Sequence, residues 1–339
     1  MSVRGLMDGH VLKNSRKGES IMPHNLNVTD SGPSMMYVGE TPWHSLGTRL
    51  DRPATAEEAI QAAHLDFTVE KFRLKTTPND LPVESHFATV RTDTMEVLGV
   101  VGSRYEPIQN RDAFTTFDAL VGEGEAIYHT AGALGKGERI WLLAKLPDYI
   151  RVNGNDIVEK FLLLVNSHDG SGSVRVKLTP IRVVCENTLS LALSGAEQEV
   201  HIRHTLNAKE KLKEAHEILG LTNKLYEQLD AIFNRMTETK MDEPTLTEYV
   251  RTIFPENRES KDQSRVKKVH GVIFELAESG EGAEMSRGTL WGAYNAVTEY
   301  VDHYRHAKGE ETVRLKSMWF GSGERIKKNA FRVAATLLN

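Results

Sequence analysis

Cys185 and His168, near the middle of the chain, are of the types that nucleophilic catalysis uses. A thiol becomes a catalytic nucleophile when a base contacts it and a third group orients that base. An extended stretch separates the two residues, and ten extended residues already span about 33 Å. We therefore interpret Cys185 as a buried structural thiol and His168-Asp169-Gly170 as the turn of a hairpin.

Metal binding has little support in the sequence. The 13 histidines include no His-Glu-x-x-His motif, and a single cysteine cannot form a Cys-x-x-Cys pair. His201 and His204, like His303 and His306, have the His-x-x-His spacing that can share one helix face. No further ligand is close in sequence, so we interpret both pairs as solvated surface residues. We expect no metal and no other cofactor.

Clusters of basic residues are the more informative chemical signal. Cations that follow a phosphate backbone, together with aromatic rings that stack on bases, form a groove for single-stranded nucleic acid. The alternative interpretation is a set of solvated helix faces, with Trp319 as a core anchor. The candidate DNA contacts are Lys136, Arg139, Arg175, Lys177, Arg182, Lys267, Lys268, Trp319, Arg325, Lys327 and Lys328.

The segment from Glu125 to Ser194 positions the central cations. The sequence predicts that this segment forms an antiparallel meander closed by a helix. The last predicted strand alternates, so Arg175 and Lys177 lie on one face and valines on the other. Its predicted pairing makes Phe161 to Leu178 a hairpin. The predicted elements are strands at Ala126 to Leu134, Ile140 to Leu146, Phe161 to Val165 and Val174 to Leu178, and a helix at Cys185 to Leu193.

Further elements flank this unit. A capping box at Thr55 to Glu58 predicts one helix, and Asn110 is a plausible N-cap of another. Strands are predicted at His86 to Arg91 and Glu96 to Val101. A broad apolar stripe indicates a long helix that packs within the protomer or between subunits. Predicted C-terminal helices run over Ala208 to Met236, Pro244 to Pro255, Ser264 to Glu278, Arg287 to His306 and Glu324 to Leu338.

Composition sets the broad class. A chain of 339 residues with 40% hydrophobic residues can bury a substantial core. A formal charge of −5 argues against coating DNA through bulk positive charge, so nucleic-acid binding requires a local patch. We find no run of about 18 apolar residues and no secretion signal. These features, with one cysteine, favour a reducing cytoplasm and no membrane partner.

The expected fold class is α+β, an antiparallel β-meander with packed helices, a β-β-β-α core and a helical C-terminal annex. We divide the chain into a tail or extension at residues 1–35, an α+β core domain at 36–205 and a helical region at 206–339. The central meander lies at residues 125–195.

Four segments carry a family resemblance that covers most of the chain after about Met36. The chain resembles the phage/plasmid-like protein family, a domain of unknown function found on prophages, phages and plasmids. This resemblance implies a mobile-element protein that works in a bacterial cytoplasm. The segments are Thr41-Pro42-Trp43-His44, Asn166-Ser167-His168-Asp169-Gly170-Ser171, the run from Arg182 to Leu189 and the run from Trp291 to His303.

A looser resemblance concerns topology. The order helix, three-stranded meander, helix is similar to the core of phage single-strand annealing proteins of the Erf and Red-beta kind. Those proteins form rings or filaments and hold single-stranded DNA beside the meander without chemistry on the DNA. The likeness is one of fold.

The sequence therefore predicts a non-enzymatic protein that binds and anneals single-stranded DNA in recombination or repair, as a homo-oligomeric ring or filament. A phage exonuclease or a host single-strand binding protein is a further candidate partner. One alternative is an interaction protein, a host-defence inhibitor or scaffold, that uses the stripe from Leu212 to Met236. A third hypothesis is a hydrolase with Cys185 or a carboxylate-bound metal.

Overall fold

A large, mainly antiparallel sheet forms the centre of the fold in a computed structural model. The structure describes residues 26–30, 32–39, 46–52, 54–121, 127–182, 184, 187–188, 199–205, 207, 216–256, 263–305, 317 and 321–338. Within these residues the fold is α+β, as the sequence predicts.

The strands of the described residues form this sheet, a three-stranded sheet and a two-stranded ribbon. In chain order they are β1 (Val28–Thr29), β2 (Gly32–Pro33), β3 (Met35–Val38), β4 (Thr48–Leu50), β5 (Val69–Lys75), β6 (Pro82–Arg91), β7 (Glu96–Gly102), β8 (Ile127–Leu134), β9 (Arg139–Val152), β10 (Asp156–Ser167), β11 (Val174–Leu178), β12 (Ile181–Arg182), β13 (Asn187–Thr188) and β14 (Glu199–Ile202). The order of the large sheet is β13-β12-β10-β9-β8-β3-β4. Strand β11 pairs with β10 beyond β12 and carries β14 on its other edge.

The predicted meander is confirmed as β8-β9-β10, with longer strands than the apolar runs indicate. Strand β9 continues past Leu146 to Val152, where Asn153 and Gly154 turn the chain with positive φ angles. A register shift between Glu159 and Phe161 adjusts the pairing of β9 with β10. The predicted hairpin of β10 with β11 is also confirmed.

The predicted helix from Cys185 to Leu193 is wrong at its described residues. Asn187 and Thr188 form strand β13, which pairs with β12 and extends the sheet edge. Cys185 and residues 189–193 lie outside the described residues. At Asn187 and Thr188, backbone pairing with a neighbouring strand therefore determines the structure, in spite of the helical spacing of the apolar residues.

The N-terminal part adds helix α1 (Ala56–Ala62), the sheet β5-β6-β7 and helix α2 (Asn110–Val121). The capping box of Thr55 and Glu58 at α1 is confirmed. Asn110 does not cap α2 but begins it. Its side chain donates to the Leu65 carbonyl and contacts His168 instead.

The C-terminal part is helical within the described residues. Its elements are α3 (His216–Glu238), α4 (Glu243–Ile253), α5 (Ser264–Ser279), α6 (Leu290–Glu299), a π-helical turn (Tyr300–Tyr304) and α7 (Ser322–Thr336). Every residue of α6 is buried. The described part of the predicted stripe, including Leu229, Phe233 and Met236, packs into the same apolar core as one face of the sheet. That part of the stripe is therefore used within the protomer.

A buried carboxylate, Asp156 at the start of β10, joins the sheet to the helical layer. It accepts hydrogen bonds from Arg182 Nε at 2.8 Å and Trp291 Nε1 at 2.8 Å. Arg182 Nη2 is 2.7 Å from Asp156 Oδ2, and each of these two side chains is only 1% exposed. Arg182 also donates to the Gly282 carbonyl at 3.0 Å. Strands β10 and β12 are thereby fixed to α6 and to the segment before it.

No helix of the described segments combines the length and apolar character needed to cross a lipid bilayer.

We predict that Asp156→Ala lowers the free energy of unfolding by about 3–5 kcal/mol, because it leaves the Arg182 charge buried without its carboxylate. Urea unfolding measures the change. The control is Asp148→Asn, at an exposed residue of β9 with φ of 66°, a region that Asn tolerates. This control should stay within about 0.5 kcal/mol of the wild type. Equal losses in both variants would contradict the role assigned to Asp156.

Candidate functional site

Three of the predicted DNA contacts point into the protein. Arg182 pairs with Asp156, and Lys327 pairs with Asp302 at 2.7 Å with both side chains 0% exposed. Lys177 is 10% exposed and its Nζ lies 2.6 Å from Glu324 Oε1. Releasing such a charge to a phosphate would leave its carboxylate buried and unpaired. The prediction that Arg182, Lys327 and Lys177 contact DNA is therefore wrong for this fold.

The Glu324 carboxylate forms ion pairs with two lysines. Lys328 Nζ lies 3.1 Å from the same Oε1 atom that contacts Lys177. Burial by itself would raise the pKa of Glu324. The ammonium groups of Lys177 and, to a smaller extent, Lys328 lower it by more, so the pKa of Glu324 lies below its usual value. Lys328 is thus a partner of a structural carboxylate, although its side chain is 38% exposed.

The other predicted contacts lie on separate elements. Lys267 and Lys268 are exposed on α5, and Arg325 is exposed on α7. Trp319 lies outside the described residues. Lys136 is exposed in the β8–β9 turn, and Arg139 and Arg175 are half-buried on β9 and β11. Among the described predicted contacts, Arg139 and Arg175 lie beside the cleft described next, although neither of them lines it.

An open cleft of about 880 Å³ lies where three distant segments meet. The segment after β7 contributes Arg104 and Tyr105, the β10–β11 loop contributes residues 170–173, and the end of β14 with the following residues contributes residues 201 and 203–205. Arg139 Nη2 donates to Ser171 Oγ at 2.8 Å, which places this guanidinium beside the loop. Arg175 is the strand partner of His201.

The glycine- and serine-containing loop is held in place by its neighbours. Asp169 Oδ1 accepts from the Ser171 backbone N–H at 2.8 Å, which confirms the predicted turn. Gly170 has φ of +76°, and a Cβ atom there would lie 2.8 Å from Val101. A Cβ on Gly99 would lie 2.4 Å from the Asp169 carbonyl oxygen. Close backbone contact with β7 therefore fixes the loop at the mouth of the cleft.

His204 and Tyr105 line the interior of the cleft. Their rings stack with centroids 4.6 Å apart and planes 16° apart. The Tyr105 hydroxyl donates to the Ser167 carbonyl at 3.0 Å, and the Ile108 backbone N–H donates to His204 Nδ1 at 3.4 Å. Burial lowers the pKa of His204 to about 4, against raising contributions from the Glu106 backbone and the Asp169 carboxylate. His204 is therefore neutral at pH 7.

A second buried histidine lies at the start of the loop. His168 Nε2 is 2.9 Å from Asn110 Oδ1, and Asn110 Nδ2 donates to a carbonyl, so Oδ1 is the acceptor. Burial lowers the pKa of His168 to about 3, with a smaller lowering contribution from His204. His168 is thus a neutral donor that ties the loop to α2.

Sequence reasoning missed most of the cleft. His201 is exposed, as the sequence predicts, but residues 199–202 form a strand instead of a helix and His204 is buried. Arg104, Tyr105 and Arg203 gave no local signal. The alternation Glu199-Val200-His201-Ile202 is the period-two pattern that could have predicted β14. In the second pair, His303 is exposed and His306 lies outside the described residues.

Positive charge dominates the polar border of the cleft. Arg104 and Arg203 are exposed, and neither forms an ion pair with any described residue. Arg139 and Arg175 add two more guanidinium groups nearby, whereas Asp169 is the acidic residue of the loop. Guanidinium groups present several donors in a planar fork that matches phosphate oxygens. The arrangement is suited to binding an anion.

Two kinds of catalytic arrangement can be checked among the described residues. Ser173 Oγ and His201 Nδ1 are 3.3 Å apart, but the contact is exposed to water, which does not favour an activated serine. No three His, Cys, Asp or Glu side chains converge as a metal site in the described ranges. The hypothesis of a Cys185 nucleophile concerns a residue outside those ranges.

The α+β fold and the cleft bordered by arginines place this chain in a structural class. They do not by themselves identify an activity. The chain belongs to the family described as a domain of unknown function, DUF932, whose model matches residues 97–319. This match begins in β7 and includes every residue that lines the cleft. No curated protein and no solved structure shows a significant match to the chain.

Buried neutral histidines make stability depend on pH. The pKa of His168 lies near 3 in the folded protein, against about 6.5 when unfolded, so stability is present above about pH 6.5 and is lost as pH falls below it. We predict that His168 alone accounts for a loss of about 2 kcal/mol between pH 7 and pH 5. Urea unfolding at the two pH values measures it.

In the variant His168→Gln the same pH change should cost about 2 kcal/mol less than in the wild type. The control is His86→Gln, at an exposed histidine of β6, which should leave the pH dependence as it is. A wild-type pH dependence retained by His168→Gln would contradict the assignment.

Proposed function

We propose that this protein binds single-stranded DNA without chemistry, by the sugar–phosphate backbone, along the border of the cleft. The supporting observation is the grouping of Arg104, Arg139, Arg175 and Arg203 around the β10–β11 loop. Phosphate contacts position a strand without reading its sequence, and arginine is well suited to making them. Bases left free by such contacts remain open to a complementary strand.

This set of contacts replaces the cationic track that the sequence indicates. Of the predicted contacts it keeps Arg139 and Arg175, leaves out the buried Arg182, Lys177 and Lys327, and adds Arg104 and Arg203. A local patch is compatible with the formal charge of −5, because screening limits repulsion from distant surface charges to about 8–10 Å at physiological salt. Binding by a patch is expected to be steeply dependent on salt.

The biological setting of the proposal comes from the family resemblance. Annealing of complementary strands in recombination or repair of a phage or plasmid, within a bacterial cytoplasm, is the role that we assign. Neighbouring copies in a ring or filament would join their patches into a longer path for one strand. Imaging of the purified protein with and without an oligonucleotide tests this assembly, and strand-pairing rates test annealing.

Binding itself is tested by fluorescence anisotropy with a labelled thymidine oligonucleotide at several salt concentrations. For single strands the slope of log K against log salt is about −0.7 for each phosphate contacted. We predict that Arg104→Gln/Arg203→Gln weakens binding at low salt and makes the slope shallower by about 1.4.

The matched control is Arg251→Gln/Arg332→Gln, which removes the same charge from exposed positions on α4 and α7 that do not line the cleft. Its slope should equal that of the wild type. A slope near zero for the wild type, or the same loss in both double variants, would refute binding at the cleft.

A second candidate function is that of an interaction protein, and one observation favours it. Phe72, Val97 and Val100 lie on one face of the small sheet, where they are 38–56% exposed. Exposed apolar faces of this kind are typical of binding surfaces. Oligonucleotide binding at low salt distinguishes the two functions, because an interaction protein would not bind the oligonucleotide.

A further inference from the structure

One buried donor in the cleft has no acceptor. His204 is 6% exposed, and its Nε2 atom has no hydrogen-bond partner in the described part of the chain. The contact of Nδ1 with the Ile108 N–H assigns Nδ1 as the acceptor, and this assignment places the hydrogen of the neutral ring on Nε2. An unsatisfied buried donor costs about 1–3 kcal/mol, and such groups are rare enough in folded proteins to need an explanation.

The ring cannot easily turn to satisfy this donor. Stacking on Tyr105 holds one face of the imidazole, and the Tyr105 hydroxyl is itself fixed by the Ser167 carbonyl. The backbone at Ile108 holds the opposite nitrogen. His204 lines the cleft, and its Nε2 atom is closed off from solvent in this structure, so a group that enters the cleft can supply the missing acceptor once the cleft wall shifts slightly.

The surrounding groups define the chemistry of that acceptor. Arg104 and Arg203 carry positive charge, and Ser171 and Ser173 add hydroxyl groups. Such a set of donors suits an anion with several oxygen acceptors. A phosphomonoester has three terminal oxygens and about 1.5 to 2 negative charges at pH 7. It is attached on one side only and can enter a cleft end-on, whereas a phosphodiester continues as a chain on both sides.

We propose that the cleft is a recognition site for a terminal phosphate group, in which the His204 Nε2–H donates to one phosphate oxygen while Arg104 and Arg203 pair with the others. The inference rests on the proposed function in that a single strand of DNA, with a 5′-phosphate end, is the expected source of this group. A free nucleoside monophosphate offers the same chemistry. Backbone contacts along the border would hold the strand, and the cleft would fix its end.

The test compares 3′-labelled oligonucleotides that differ only in a 5′-phosphate or a 5′-hydroxyl end, by anisotropy with the full chain. The 5′-phosphate should tighten binding about tenfold, the value of one charge-assisted hydrogen bond. This gain should disappear in Arg104→Gln/Arg203→Gln and in His204→Phe, which keeps a ring beside Tyr105 but has no donor. The control Arg251→Gln/Arg332→Gln should keep it.

A second measurement does not depend on whether His204→Phe folds. The Nε2–H proton of His204 in the wild type, followed by nitrogen-15 NMR, should shift downfield when thymidine 5′-monophosphate or the phosphorylated oligonucleotide is added. In one outcome thymidine 5′-monophosphate competes with the oligonucleotide, but the 5′-phosphate on the oligonucleotide does not tighten its binding. This outcome supports the site, with a free nucleotide as its ligand.

The outcomes separate this inference from the proposed function. Equal affinity for both oligonucleotides, with no competition and no shift from thymidine 5′-monophosphate, overturns the terminal-phosphate site but leaves backbone binding intact. Failure of the 5′-hydroxyl oligonucleotide to bind, with a shift from the nucleotide, overturns the proposed function and keeps the site.

Discussion

Buried charge is the constraint on which this structure depends. The carboxylate of Asp156 lies inside the protein and is compensated by Arg182 and the Trp291 indole, which come from β12 and α6. Neither charge could remain buried without the other. Because the partners belong to different layers, satisfying the carboxylate also fixes the position of the helices on the sheet.

The same principle recurs at two other junctions. Lys327 on α7 meets Asp302 in the π-helical turn, and Lys177 on β11 meets Glu324 at the start of α7. Lys327 and Lys177, which the sequence predicts as parts of an external cationic track, therefore form ion pairs inside the fold. Around the β10–β11 loop, by contrast, the fold brings Arg104 and Arg203 together without carboxylate partners among the described residues.

The sequence predicted local structure well and the site poorly, for a physical reason. Apolar periodicity located the meander and most of the helices, and the Thr55 to Glu58 pattern predicted the capping box, because these features depend on neighbouring residues. Arg182 looks exposed in sequence since its partner Asp156 is 26 positions away. The cleft needs segments near residues 104, 171 and 203, and only the tertiary fold brings them together. His204 could have been predicted to follow a strand, but its burial depends on Tyr105 and Ile108.

The Lys177–Glu324 contact has a consequence for how the protein is made. The two residues are 147 positions apart, so Lys177 leaves the ribosome long before its carboxylate partner is synthesised. The β-meander can assemble in the meantime, because its strands are consecutive in the chain. Strand β11, which also carries Arg175 opposite His201, gains the Glu324 contact only when α7 emerges. Synthesis of α7 and consolidation of β11 beside the cleft are therefore linked events.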